Sequence, residues 1–219
     1  MLSPTEENYL KAIYYLQQDD DKNGAAVNDI AERVNTRPAT VTDMLRKLSE
    51  KELIHYKKYK KTSLTAAGEK YALQIVRKHR LWEVFLHLKL NFPWDEVHDI
   101  AEQLEHVVST KLIEKLDEYL GFPQFDPHGD PIPNAKGEMN PASNTTLAMV
   151  AENSKCCIVA VKDTSAPFLL HLARVGLKIG TCLQVVEVLP FDNSIIISFK
   201  DGQSFTVSEC IAQNILVSC

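Results

Sequence analysis

No stretch of this 219-residue sequence stays apolar for the ~18 or more residues that a membrane-spanning helix requires, which argues against a helical membrane protein. The opening Met1-Leu2-Ser3-Pro4 has neither the basic region nor the apolar stretch of a secretion signal, so a cytoplasmic location is expected. There is no cysteine before Cys156. The five thiols, Cys156, Cys157, Cys182, Cys210 and Cys219, all lie in the last third, so a thiolate-rich zinc site is excluded from the first two thirds. An odd number of cysteines without metal-ligand spacing points to reduced, mostly packed thiols, with Cys219 a candidate exposed one. HExxH, P-loop and GxSxG motifs are missing as well, and no internal repeat is visible.

Charge of one sign is scarce where it matters. The whole chain carries −5, but residues 1–80 hold 15 Lys and Arg against 11 Asp and Glu, and residues 33–70 hold 10 against 4. Residues 81–219 are acidic, with 9 against 18. Screening limits exposed charges to a range of roughly 10 Å at physiological salt, so the local basic patch matters for phosphate binding more than the total does.

What is present reads as three modules. Ser3-Pro4-Thr5-Glu6 forms a capping box, and Leu10, Ile13 and Leu16 follow at helical spacing. The run Asp19-Asp20-Asp21-Lys22-Asn23-Gly24 should end that helix in a solvated loop. Val27–Val34 is a short amphipathic helix, Asn35-Thr36 a turn, and Thr36 a candidate cap for a helix over 37–51. Val41, Met44, Leu45 and Leu48 make the buried stripe of that helix. Arg37, Thr40, Thr42, Asp43, Arg46 and Lys47 are left as its DNA-facing candidates. Two short helices about a tight turn are the helix-turn-helix pattern. Two strand-like segments, 53–56 and 62–65, then flank Lys57, Lys58, Tyr59, Lys60 and Lys61, a basic wing tip. A solvated charge run is the alternative reading of that segment.

Thr65-Ala66-Ala67-Gly68 opens a long helix to about Leu90, which Asn91-Phe92-Pro93 breaks. Further helices are expected over 94–108 and 110–120. Residues 121–146 are rich in proline, glycine and asparagine and read as a linker. Beyond them, β-branched runs at 157–161, 183–188 and 194–199, interrupted by a helix at 166–175, indicate a small β-barrel-like domain. The fold class is thus mainly α with a small β domain. Its parts are a winged helix-turn-helix over 1–70, a helical domain over 71–122, a linker over 123–146 and the β domain over 147–219.

The sharpest chemical constellation is His98, Glu102, Glu105 and His106. On one helix these fall within an arc of about 100°, beside the apolar stripe of Val97, Ile100, Ala101, Leu104 and Val108. Imidazole and carboxylate together at the edge of a buried face suit a divalent metal. His79 and Glu83, at i and i+4 on the preceding helix, offer a second pair. Nitrogen and oxygen donors without thiolate favour Mn(II) or Fe(II) over a thiolate-rich zinc site. A solvated polar face is the alternative. His55, His87 and His171 have no partners at useful spacing, and Tyr56 and Tyr59 read as strand packing.

These features resemble the diphtheria-toxin-repressor family of metal-dependent transcriptional regulators, in particular its manganese-transport-regulator branch. The resemblance rests on Thr5-Glu6-Glu7-Asn8-Tyr9-Leu10, Ile30-Ala31-Glu32-Arg33-Val34, Leu64-Thr65-Ala66-Ala67-Gly68, Arg77-Lys78-His79-Arg80-Leu81, Val97-His98-Asp99 with Glu105-His106, and Pro131-Ile132-Pro133. The tail from about 147 is similar to the SH3-like domain carried by many members. The resemblance implies a homodimer, with residues near 91–120 at its interface, and two metal positions. A regulatory position would use residue 8 with Glu102, Glu105 and His106. An ancillary one would use His79, Glu83 and His98, or, in a variant form, Glu83 with Asp126, His128 and Asp163. There are departures. Asn8 stands where manganese-type members carry Asp, and Lys11 stands where some carry a further acidic ligand. Asp126 replaces a Cys of the variant pattern, while Glu102 in place of the Cys of iron-sensing members favours manganese.

The expected function is repression of metal-homeostasis genes. A metal would tie the first helix to the segment bearing Glu102 to His106, and two recognition helices would enter successive major grooves of a palindromic double-stranded operator. Lys57, Lys58, Lys60 and Lys61 would bind phosphate, and Arg37, Thr40 and Asp43 would lie at or near the bases. No membrane partner and no catalytic residue are expected. A winged-helix regulator with an organic ligand, or none, is one alternative. A carboxylate-bridged metalloenzyme is another, disfavoured because Glu102 is followed three residues on by Glu105 and not by His.

Overall fold

A computed structural model of the chain describes residues 2–18, 24–141, 143–199 and 202–219. The loop expected at 19–23 lies outside the described residues. The chain divides into two units: Met1–His79 with Glu102–Ile113 and Pro133–Glu138, and Arg80–Ala101 with Glu114–Ile132 and Met139–Cys219.

The first unit begins with α1 (Pro4–Gln18). Its capping box is formed: the Glu6 amide donates to Ser3 Oγ at 3.3 Å, and the Ser3 amide donates to Glu6 Oε2 at 2.9 Å. Next come α2 (Val27–Arg33) and α3 (Pro38–Glu50). The apolar stripes of all three helices close one core that includes Leu10, Ile13, Ile30, Val41, Leu45 and Leu48. Thr36 does not cap α3. The cap position is Arg37, with no side-chain bond, while the Thr36 amide closes the end of α2 on the Ala31 carbonyl at 2.9 Å. Pro38 brings no N–H to the first turn, so one fewer acceptor is needed there.

Strands β1 (Ile54–His55) and β2 (Ser63–Leu64) pair antiparallel, Ile54 opposite Leu64. Ala25 joins them through reciprocal backbone bonds with Thr62 at 2.8 and 2.9 Å. Helix α4 (Ala66–Leu90) follows. Gly68 in its first turn meets Leu53, where a Cβ would stand 1.9 Å from the Leu53 carbonyl oxygen. Only glycine lets helix and strand approach so closely.

The second unit contains the C-terminal part of α4, parts of α5 (Val97–Leu104) and α6 (Thr110–Leu120), and the β domain. The helix expected over 94–108 is much shorter. Its N-terminal end is lost because Trp94 packs on the β-domain core and its carbonyl accepts from His128 Nε2 at 2.8 Å. The β domain comprises β3 (Lys155–Val161), α7 (Ala166–Arg174), β4 (Cys182–Val188), β5 (Ile195–Phe199), β6 (Ser204–Val207), α8 (Glu209–Gln213) and β7 (Ile215–Ser218). The strands form one antiparallel sheet in the order β6-β5-β4-β3-β7. Ile158, Val185, Ile195, Ile197 and Val217 fill its core together with Leu169 and Leu172 of α7. β6 and α8, short and of mixed polarity, and β7, apolar but only four residues long, were not anticipated from the sequence.

The expectation about the cysteines is corrected. Cys157 and Cys182, opposed on β3 and β4, are joined in a disulfide, so the thiols are not all reduced, and Cys210 is exposed and not packed. His87 makes a local structural contact, its Nδ1 2.9 Å from the carbonyl of Phe92 just beyond α4. No helix among the described residues is long and apolar enough to cross a membrane.

Candidate metal centre and nucleic-acid interface

In the second unit the deepest polar cluster is Glu83, Asp126 and His128. Glu83 projects from α4, and the other two come from a tight turn between α6 and the β domain. All three are buried, and one ligand atom from each lies within 4.8 Å of the others. The turn is built by its own first residue. Asp126 Oδ1 accepts from the amides of His128 at 2.8 Å and Asp130 at 3.0 Å, and the Gly129 amide closes on the Asp126 carbonyl at 3.1 Å. Gly129 has φ +89° and lies against β3, where a Cβ would come within 2.1 Å of the Val159 carbonyl oxygen. The Val161 amide donates to the His128 carbonyl at 3.0 Å, so strand β3 holds the turn in place.

The electrostatics of this cluster are those of too much buried negative charge. Burial pushes the Asp126 carboxyl up to about 8, and Glu83 and Asp130 push the same way against Arg80 and His128. Burial disfavours the His128 imidazolium, but Glu83 and Asp126 outweigh it and raise that group to about 9. Arg80 is the nearest fixed cation, with Nε 3.6 Å from Asp126 and Nη2 3.4 Å from Asp130. Two carboxylates and one imidazole converging in a dry site, with one acid driven to keep its proton, fit a divalent ion of the nitrogen- and oxygen-preferring kind. His98 Nδ1 lies 3.3 Å from the Glu83 carboxylate. Asp163 does not join the cluster: it is half-buried and accepts from the Ser165 amide at 2.8 Å in its own turn. Arg80 and Asp130 were missed by sequence reasoning. The signal available for Arg80 was its place one helical turn before Glu83.

The quartet of Asn8, Glu102, Glu105 and His106 does not form one ligand set. α5 ends at Leu104, so Glu105 and His106 lie in the turn beyond it. Glu105 is wholly buried, and both of its oxygens accept from the Lys11 ammonium, at 2.6 and 2.8 Å. Its Oε2 also lies 2.7 Å from His79 Nδ1. Burial raises the Glu105 carboxyl, but His79 and Lys11 outweigh that and hold it below its ordinary range. The same ammonium is 3.3 Å from Glu102, whose side chain is 51% exposed. His106 Nδ1 pairs with Glu7 at 2.6 Å, a partner that sequence reasoning did not name, while its Nε2 lies 3.8 Å from Glu105. Asn8 is exposed. The shared partner of Glu102 and Glu105 here is the Lys11 ammonium.

The basic residues of α3 and of the hairpin tip lie at the surface of the first unit. Arg37, Thr40, Asp43, Arg46 and Lys47 are exposed on α3, with Arg46 paired to Asp43 at 3.3 Å. Thr42 is less available: it is half-buried, and its hydroxyl donates to the Pro38 carbonyl at 3.0 Å. Lys57, Lys58, Lys60 and Lys61 are all exposed at the hairpin tip. Tyr56 packs on the core of the first unit, whereas Tyr59, at φ +66° and 93% exposed, is not strand packing.

Comparison with known proteins covers the chain in three parts. Residues 1–62 match the iron-dependent repressor N-terminal DNA-binding domain, residues 65–134 the iron-dependent repressor metal-binding and dimerisation domain, and residues 145–219 the FeoA domain. The HTH-type transcriptional regulator MntR of Bacillus pumilus (strain SAFR-032) is 34% identical over 122 residues, which is 56% of this chain and 83% of that protein. MntR of Geobacillus thermodenitrificans (strain NG80-2) is 33% identical over 126 residues, 58% of this chain and 87% of that protein. Among solved structures, a manganese-dependent transcriptional repressor in complex with manganese superposes with a TM-score of 0.85 at 34% identity, covering 97% of this chain and 98% of the other. The manganese regulator SloR does so with a TM-score of 0.76 at 35% identity over 99% of both. With the helix-turn-helix, the lysine-tipped wing and the C-terminal sheet in the same order, the chain belongs to the diphtheria-toxin-repressor family of metal-dependent transcriptional regulators, in its manganese-regulator branch.

Proposed function

We propose that the chain is a cytoplasmic, metal-dependent transcriptional repressor of metal homeostasis, and not an enzyme, that binds a palindromic operator as a homodimer. Mn(II) is the expected ion and Fe(II) the alternative. The observation that carries this reading is the buried Glu83, Asp126 and His128 cluster in a chain whose other unit presents a recognition helix and a basic wing. Two carboxylate oxygens and an imidazole nitrogen are the donors these ions take without thiolate. An ion bound there would supply the positive charge that the cluster lacks. It can change operator affinity only to the extent that it binds the DNA-competent state more tightly.

The chain's own groups have separable roles in this reading. Glu83, Asp126 and His128 would hold the ion, and Arg80 keeps Asp126 and Asp130 in place. His98 is a further donor through its approach to Glu83, and His79 stands one helical turn before Glu83 on α4. Lys57, Lys58, Lys60 and Lys61 bind phosphate, setting affinity and not sequence choice, while Arg37, Thr40 and Asp43 lie where base edges would be read. In the second unit, the end of α4, helix α6 and the turn just after it leave Leu88, Tyr119 and Phe122 exposed, the kind of apolar surface a second copy covers.

The test is an operator mobility shift with and without Mn(II), on the native chain and on Asp126→Ala/His128→Ala. The native chain should bind more tightly with the ion, and the double variant should lose that response. Equal affinity of the native chain in both conditions would leave a metal-independent winged-helix regulator.

A further inference from the structure

We propose that in this chain the position bounded by α1, Glu102 and Glu105 takes no divalent ion, because the ammonium of Lys11 is its resident cation and ties α1 to Glu105 permanently. The inference deepens the metal-regulator reading. It says which of the two positions answers to metal, and it leaves the response to the ligands gathered around Glu83.

The geometry is that of a filled site. Lys11 Nζ has three acceptors, at 2.6 and 2.8 Å on Glu105 and 3.3 Å on Glu102. An ammonium has three protons to give, so its donor capacity is spent. The Lys11 side chain is 11% exposed and Glu105 is wholly buried. A divalent ion at the same place would meet a like charge and would have to displace all three hydrogen bonds. Glu105 Oε2 is also engaged by His79 at 2.7 Å, and the Nδ1 of His106 is engaged by Glu7 at 2.6 Å. Asn8, one turn before Lys11, is exposed and takes part in none of these interactions.

The arrangement also has a mechanical consequence. In a metal-held position, the link from α1 exists only when the ion is present. Here the cation of the ion pair belongs to the chain itself and is present in every copy at every metal concentration. Loss of metal from the other cluster therefore leaves α1 attached to Glu105.

The test uses the full chain and Mn(II) alone, read by bound ion per chain after dialysis and by the shift in Tm. In Glu83→Ala/Asp126→Ala, with Lys11 intact, no ion should remain bound and Mn(II) should not move Tm. Adding Lys11→Gln to that variant should restore one bound ion per chain and a rise in Tm with Mn(II), and Lys11→Arg should restore neither. Ion bound by the Lys11-intact double variant and lost on Glu105→Gln would overturn the proposal. So would a Lys11→Gln triple variant that folds but still takes no ion. If that triple variant does not fold, the Lys11-intact double variant decides by itself. A native chain that binds no Mn(II) at all would defeat the regulator reading instead. In that case the tether stands or falls on whether Lys11→Met lowers Tm in chelator.

Discussion

Gly129→Ala puts the support of the metal cluster to a quantitative test. The residue has φ +89°, and an added Cβ would stand 2.1 Å from the Val159 carbonyl oxygen and 2.5 Å from the Cα and Cβ of Ala160. These are backbone and near-backbone atoms of β3, which cannot swing aside as the end of a flexible side chain can. A left-handed φ costs a residue with a Cβ about 1–2 kcal/mol, and forcing an extra carbon into a packed interior costs about 1–3 kcal/mol more. The expected loss is therefore about 2–5 kcal/mol. At roughly 2–4 °C per kcal/mol for a chain of this size, Tm should fall by about 4–20 °C. Because Gly129 belongs to the turn in which Asp126 Oδ1 accepts from the His128 and Asp130 amides, Mn(II) affinity should fall with it. Differential scanning calorimetry in chelator and metal titration by isothermal calorimetry read the two effects. A Tm within about 2 °C of the native chain, or ~1 kcal/mol at most, would show that β3 does not press on this turn, and the account of how the cluster is held would fail.

Lys11→Met should destabilise the chain by about 3 kcal/mol, the lower end for breaking a buried ion pair, because His79 still serves the stranded carboxylate. Lys11→Met with Glu105→Gln together should cost clearly less than the two single changes summed, and additive losses in chemical denaturation would deny the coupling. Replacing Lys57, Lys58, Lys60 and Lys61 with Ala should weaken operator binding and lower the slope of log affinity against log salt by about 3–4, near 0.9 for each phosphate no longer neutralised. An unaltered slope in fluorescence anisotropy would remove the wing from the interface. Leu45→Ala, at a wholly buried position of α3, should cost about 2–5 kcal/mol and lower DNA binding by unfolding the first unit. Circular dichroism melts that show no change would contradict the packing of the recognition helix.

Local chemistry explains why so much of the first unit could be read from the sequence. The capping box at Ser3 and Glu6, the stripe of Val41, Leu45 and Leu48, and the lysine-tipped hairpin each depend on residues a few positions apart, and each stands where its spacing placed it. Thr36 misled because Asn35 and Thr36 close α2 while Pro38 starts α3 unaided. The helix expected over 94–108 misled because Trp94 is held by His128, 34 residues away. No periodicity within the segment could report that.

The sequence by itself determined the classes of chemistry on offer: nitrogen and oxygen donors without thiolate, a basic head on an acidic body, and a family pattern spread along the whole chain. Which donors meet was decided by tertiary structure. Asp126 and His128 reach Glu83 only because a glycine turn is clamped by a distant strand. Glu105 meets Lys11 because two segments 94 residues apart pack together. Short-range spacing fixes the face a side chain occupies, but charge pairing in a dry interior depends on what the fold sets opposite it.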